Sequence, residues 1–369
     1  MDTSICNISY AVVLAILACS CSTGSDYSSA SQGDIISSQD VKGVAGHVFN
    51  WQMNHHPKAA WNAGWMNAVL YIGITEAGKA FGDERYWQAA IDWAEFNNWK
   101  IGKRQIHADD QASAQVYLEL YRRYRKEHMI ADARKATESL LAINLRGREL
   151  WYWCDALFMS PPVLAKLSTT TGKAGYFWFL NNKFWDVYAY LYDPHEYLFF
   201  RDKQYFGVLD QNGNKVFWSR GNGWVLAGLV AILRELPESN ERYNDYLNLY
   251  RKMISKIVYL QGNDGLWRTN LLSPDIYPNP ETSGSGFYCY AIAWGINSGV
   301  LREEKYNAAL NKGWEGLTSR ITADGKLGWA QGVAQRPGPV SKDNSEIYAT
   351  GAFLMAASEM YKLARVRNK

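Results

Sequence analysis

The chain has 369 residues with 39 Lys and Arg against 36 Asp and Glu, a net charge of +3. The charge is spread without basic runs, which argues against nucleic acid as a partner. A hydrophobic content of 47% with 20% charged residues is that of a soluble globular protein, long enough for one large domain or two ordinary ones. Aromatic residues reach 14%, with 16 Trp and 24 Tyr, a supply of flat rings that suits a large core and equally a cleft for sugars.

In chain order, the first feature is an apolar run between Ile5 and Ala18, too short to span a bilayer comfortably. Small and polar text follows, as after a cleaved export signal. Ile16-Leu17-Ala18-Cys19 resembles a bacterial lipoprotein cleavage box. The expectation is an export signal over 1–18 and a lipidated Cys19, with Cys21 as the fallback acceptor. A polar tether over 19–36 would then hold the chain on a membrane, in the periplasm or on the outer membrane of a bacterium. Beyond it only Cys154 and Cys289 remain, which excludes a disulfide framework and reads as two buried thiols. No CxxC, HExxH or clustered His/Cys spacing occurs, so neither a metal site nor a cofactor is expected.

From residue 36 onward the text is helical. Apolar residues recur with the helical period in 61–81, 84–99, 109–126, 129–146, 174–192, 220–236, 240–261, 284–299, 303–319 and 344–363. A further helix starts at Asp155 and ends near Leu167, and 36–53 supplies a twelfth. Strand-like text is confined to 197–202 and 215–220, which flank DQNGN and predict one hairpin. Alternate helices are preceded by loaded text: HHPKAAWNAGW, HADDQ, WYWCD, FWSRGNGW, PNPETSGSG and SKDNSEIYATG. These starts lie about 45–65 residues apart, the length of a helix–loop–helix unit. Six loaded starts alternating with six plain ones predict an all-α (α/α)6 barrel over 37–369 as a single domain, its inner helices opening on one cleft.

Within the stretch WYWCDALFM, Asp155 sits among rings. It is either a helix N-cap or an acid whose proton is retained because its surroundings exclude water. The collar of Trp151 and Trp153 favours the acid. His107-Ala-Asp109-Asp110 places two further carboxyls at a helix start, where capping and acid–base pairing with Asp155 are both open. In Trp218-Ser-Arg220-Gly-Asn-Gly-Trp224, two glycines permit close approach of backbone to a ligand. Arg220 offers a fork for a carboxylate, and the two tryptophans offer stacking faces. Glu281, in PETSGSG, reads as a helix cap.

WYWCDALFM, HADDQ and WSRGNGW, in this order and in a ring of helical hairpins, resemble the unsaturated glycuronyl hydrolases of glycoside hydrolase family 105, related to family 88. The resemblance spans nearly all of 40–365. It implies an (α/α)6 barrel without a metal, acting on lyase-generated oligosaccharides whose non-reducing end is a 4,5-unsaturated uronic acid. Such enzymes hydrate the C4=C5 enol ether. The match places the acid/base at Asp155 and makes Trp153, Trp218, Arg220 and Trp224 binders of the unsaturated sugar. One carboxylate of the HADD motif supports the site; Asp110 is assigned the catalytic part and Asp109 a binding part. Rhamnogalacturonyl members carry a His where LFFRD here has Arg201. That leaves glucuronyl and other uronyl substrates as open as galacturonyl ones, with Arg201 as a cation for the sugar carboxylate. A conventional inverting glycosidase using Asp155 and Asp110, and a non-catalytic glycan-binding lipoprotein, are the competing readings.

Overall fold

A computed structural model describes residues 36–367. The export signal, Cys19 and all but the last residue of the 19–36 tether lie outside the described residues. Twelve long helices carry the chain: α1 (Ser38–Asn54), α2 (Trp65–Phe81), α3 (Glu84–Phe96), α4 (Ser113–Tyr124), α5 (His128–Leu141), α6 (Pro161–Thr171), α7 (Gly175–Leu191), α8 (Ser219–Leu233), α9 (Tyr243–Tyr259), α10 (Thr282–Asn297), α11 (Glu303–Thr318) and α12 (Ile347–Arg367). The even-numbered helices pack on one another in sequence, and α12 returns to α2, so the inner ring closes. The odd-numbered helices form the outer ring. The first of them, α1, packs on α12, closing the barrel with the two ends of the described chain.

Composition separates the two rings. Every residue of α8 is buried, and so are all but one of α10, as a helix surrounded by protein requires. The outer helices α3, α5 and α9 bury one face only. Neighbouring inner helices approach closely where both lack a side chain: a Cβ on Gly73 of α2 would collide with the carbonyl of Gly351 on α12. Polar caps fix several starts. Ser37 caps α1, Asp83 caps α3, and buried Glu281 caps α10 by accepting from the Ser283 and Gly284 N–H groups.

Beyond their first turns the inner helices are joined to one another by ion pairs. Arg234 of α8 binds Glu76 of α2 at 2.8 Å and also Glu359 of α12, while Lys166 of α6 meets Glu119 of α4. Arg234 follows the last turn of α8, where a cation suits the helix C-terminus, and each of these buried charges has a partner, as burial demands. The N-terminal ends carry the loaded loops.

Two local expectations are corrected. The helix expected from Asp155 to near Leu167 is broken into a single turn, Ala156–Met159, and α6, because Pro161 and Pro162 start a helix but cannot continue one. The hairpin between 197–202 and 215–220 does not form. Leu198–Phe199 pairs instead with Tyr192–Asp193, and Asp202 bridges Trp153. Trp218 bridges Asn270, leaving only the Leu209–Lys215 bridge around DQNGN. The side chain of Asn222 takes the place of a partner strand, accepting from the Phe199 N–H at 2.8 Å and donating to its carbonyl at 3.1 Å.

Candidate active site

The N-terminal ends of α4, α6, α8 and α12 bring the loaded loops together. Asp155 lies just before the turn Ala156–Met159 and its side chain caps nothing. The residue is 8% exposed, with Trp151 and Trp153 also buried. Its neighbours are the Cys154 thiol, donating to Oδ2 at 3.6 Å, and Arg201, whose Nε stands 3.6 Å from the same oxygen. That separation is an ion pair without a hydrogen bond, and Arg201 Nε has no hydrogen-bond partner among the described residues. Arg201 is held by other bonds. Its Nη1 donates to Asp202 at 2.6 Å, and its carbonyl accepts from the Cys154 N–H at 2.8 Å. Burial pushes the Asp155 carboxyl above the ordinary 3.8, against the pull of Arg201.

The HADD segment separates its two acids. Asp110 is consumed by Arg104, accepting from its N–H at 2.7 Å, from Nε at 3.2 Å and from Nη2 at 2.7 Å. Gly102 packs so closely on Asp110 that a Cβ there would lie 2.5 Å from the Asp110 side chain. Asp109 has no such bonds. Its carboxyl is pushed up to about 6, first by burial and then by the charge of Asp155. Asp109 thus feels the charge of Asp155, whereas Asp110 is taken up by Arg104. His107 accepts the Asp109 N–H on Nδ1 at 3.3 Å, and its ring lies 5.0 Å from that of Trp153. Burial lowers its pKa, which suits a neutral imidazole accepting on Nδ1.

The SRGNGW segment departs from its expected part. Arg220 is 1% exposed and does not present its fork to the cleft. Nη1 donates to the Gln331 carbonyl at 2.7 Å and Nη2 to that of Gly332 at 2.9 Å. Its guanidinium lies 4.5 Å from the Trp218 ring and 5.0 Å from that of Tyr348. A buried guanidinium must satisfy its donors, and two main-chain carbonyls do so here. Trp218 donates Nε1 to Gln331 Oε1 at 2.8 Å. Trp224 is core, packed on Phe158 and Phe287. Gly221 is required because a Cβ there would meet the Cys154 sulfur at 3.1 Å.

Three residues of the same face went unassigned. Trp65, half-buried at the start of α2, lies 5.2 Å from Tyr348. Gln331 donates its N–H to Glu281 and accepts from Arg220, Tyr348 and Trp218. Glu346 precedes α12. Trp65, Glu346 and Tyr348 all belong to the loaded starts HHPKAAWNAGW and SKDNSEIYATG. Gln331 has no such signal, because it lies in irregular text.

The sequence model of Glycosyl Hydrolase Family 88 matches residues 39–364. The chain belongs to this family. It is 39% identical over 339 residues to an unsaturated 3S-rhamnoglycuronyl hydrolase of Formosa agariphila, covering 86% of this chain and 89% of that protein. It is 34% identical over 352 residues to the enzyme of the same name from an Alteromonas species, covering 87% and 85%. A solved family 88 glycosyl hydrolase from Bacteroides vulgatus superposes with a TM-score of 0.83 at 31% identity, covering 90% of this chain and 99% of that one. This family 88 member is therefore a glycoside hydrolase of the unsaturated glycuronyl hydrolase group, with the (α/α)6 barrel of that group.

The raised pKa of Asp109 has a consequence for stability. A carboxyl whose folded pKa exceeds its unfolded value binds its proton more tightly when folded. Its contribution is present below about 3.8 and is lost as pH rises through about 6. Asp109→Asn should therefore raise stability at pH 8 by roughly 1–3 kcal/mol and change it little at pH 4. Thermal unfolding at the two pH values reads this difference. A variant destabilised equally at both would contradict it.

Proposed function

We propose that this family 88 enzyme removes a 4,5-unsaturated uronic acid from the non-reducing end of lyase-generated oligosaccharides by hydrating its C4=C5 bond, with Asp155 as acid/base. The observation that carries the reading is the carboxyl of Asp155, buried and raised, with a guanidinium near enough to attract it but too far to hydrogen-bond. Such a group holds its proton to higher pH than an exposed aspartate does, which suits a proton donor. Asp155 gives that proton to C4, and positive charge develops at C5 and the ring oxygen. Water adds at C5 and returns a proton to the Asp155 carboxylate. The hemiketal opens to a C5 ketone, and the C1 hemiacetal so exposed releases the leaving sugar. Arg201 suits the uronate carboxylate, because Nη1 alone is committed, to Asp202, while Nε has no hydrogen-bond partner among the described residues. Asp109, in its ionised form, stabilises the charge that develops in the ring.

The names of the two relatives support a 3-sulfated rhamnose as the leaving sugar. In that case the substrate is an unsaturated uronyl–rhamnose 3-sulfate oligosaccharide. The lipoprotein-like box ending at Cys19 supports export and lipid anchoring of the chain.

The ultraviolet absorbance of the conjugated enol ether tests the reaction. Wild-type enzyme should abolish it, whereas a conventional inverting glycosidase would release the sugar with the absorbance intact. Asp155→Asn should slow the loss by about a hundredfold or more, with the fold retained; near wild-type turnover would remove Asp155 from the chemistry. Cys19→Ser should move the protein from the membrane fraction to the soluble fraction, since attachment depends on acyl chains. A variant that still sediments with membranes would contradict the assignment of Cys19.

A further inference from the structure

The turn Ala108–Gln111 and its cap carry two polar groups that the fold leaves unused. His107 caps the turn, accepting the Asp109 N–H on Nδ1 at 3.3 Å. A neutral imidazole that accepts on Nδ1 carries its proton on Nε2, and burial lowers the His107 pKa, which favours that neutral form. Nε2 has no acceptor among the described residues. Asp109 is its counterpart, since its carboxylate oxygens accept no hydrogen bond there, and Oδ2 lies 3.8 Å from His107 Nδ1. The side chains are 24% and 22% exposed, so a ligand can reach both. Packing places them beside the acid. The turn lies against Ala156–Met159, which directly follows Asp155. Gln111 accepts from Ser160, and Gln115 donates to the Phe158 carbonyl at 2.8 Å. The His107 ring lies 5.0 Å from that of Trp153, which bridges Asp202, the residue that holds Arg201.

An unpaired donor beside an unpaired acceptor matches a hydroxyl group, which accepts from the one and donates to the other. In the proposed function, on which this inference rests, the C4=C5 bond goes to Asp155 and the carboxylate on C5 to Arg201. The unsaturated ring then has free hydroxyls only at C2 and C3, since C1 bears the leaving sugar and C4 the double bond. We infer that His107 is a substrate-binding residue, donating Nε2–H to one of these two hydroxyls beside Asp109. The bond on Nδ1 and the Trp153 ring fix the plane of the imidazole, so the donor is aimed before the sugar arrives. An unsaturated ring substituted at both C2 and C3 forgoes the bond. The leaving sugar, sulfated or not, does not alter it.

Two substitutions separate the donor from the cap. His107→Asn keeps an acceptor oxygen near the place of Nδ1, and asparagine is a strong helix cap, but it has nothing at the place of Nε2. His107→Gln reaches the place of Nε2 with an N–H and gives up the cap. The substrate is an unsaturated uronyl rhamnoside, followed by loss of the enol ether absorbance. His107→Asn should lower kcat/KM by about three- to tenfold, mostly through KM, with thermal unfolding unchanged. His107→Gln should keep more activity than His107→Asn, although it unfolds earlier. The 2-deoxy and 3-deoxy forms of the unsaturated sugar then identify the hydroxyl. On one of them wild type and His107→Asn should agree within about twofold, because the contact is already gone. His107→Asn as active as wild type, His107→Gln less active than His107→Asn, or an undiminished loss on both deoxy sugars would each overturn the assignment. Wild-type enzyme that leaves the absorbance intact would instead overturn the hydration reading, a separate result.

Discussion

The structure turns on one carboxyl group kept out of water beside a cation that does not hydrogen-bond to it. An aspartate in full contact with Arg201 would be held ionised and useless as a proton donor. An aspartate with no cation at all would resist giving the proton up. The 3.6 Å separation between Arg201 Nε and Asp155 Oδ2 lies between these limits. Arg201 is kept there by bonds elsewhere, to Asp202 through Nη1 and to Cys154 through its carbonyl, across the bridge that pairs Trp153 with Asp202. The short pairing of 151–155 with 201–202 therefore sets the distance between Arg201 and Asp155.

Around that pair, buried polar groups are used to fasten loops. Four consecutive residues of α8 act in four directions. Arg220 binds the carbonyls of 331 and 332, Gly221 admits Trp218 and Cys154, Asn222 binds the backbone of Phe199, and Gly223 packs against Phe287. The loops at 199 and 331–332 are tied to α8 by buried side chains. Farther along the inner helices, the ion pairs of Arg234 and Lys166 join them to one another. An acid–base site gains from this rigidity, because a displacement of a fraction of an ångström between Arg201 and Asp155 changes the attraction between them.

The barrel was legible because its causes are local. Helical periodicity, spacing and the alternation of loaded with plain starts are all written in neighbouring residues, and even the weakly patterned 36–53 forms α1. The buried setting of Asp155 was legible for the same reason, since its rings lie within four residues of it. What failed was the separation of binding from scaffolding. Arg220, Trp218 and Trp224 carry the residue types of a sugar site, yet their partners at 331, 332 and 287 come from distant text. The choice between Asp109 and Asp110 depended on Arg104, and no spacing rule says which of two adjacent acids an arginine six residues away will take. The false hairpin has a similar origin: a side chain, Asn222, supplies the bonds that a strand was expected to make.

The account rests on the state of the Asp155 carboxyl, and infrared spectroscopy of its C=O stretch, isolated by subtraction of Asp155→Asn, reads that state directly. In the wild type the band of the protonated acid should persist above the pH at which an ordinary aspartate, with a pKa of 3.8, ionises. In Arg201→Met, with the attracting cation gone, it should persist to higher pH still. An Asp155 that ionises at its ordinary value, or one that ionises at lower pH when Arg201 is removed, would contradict the account.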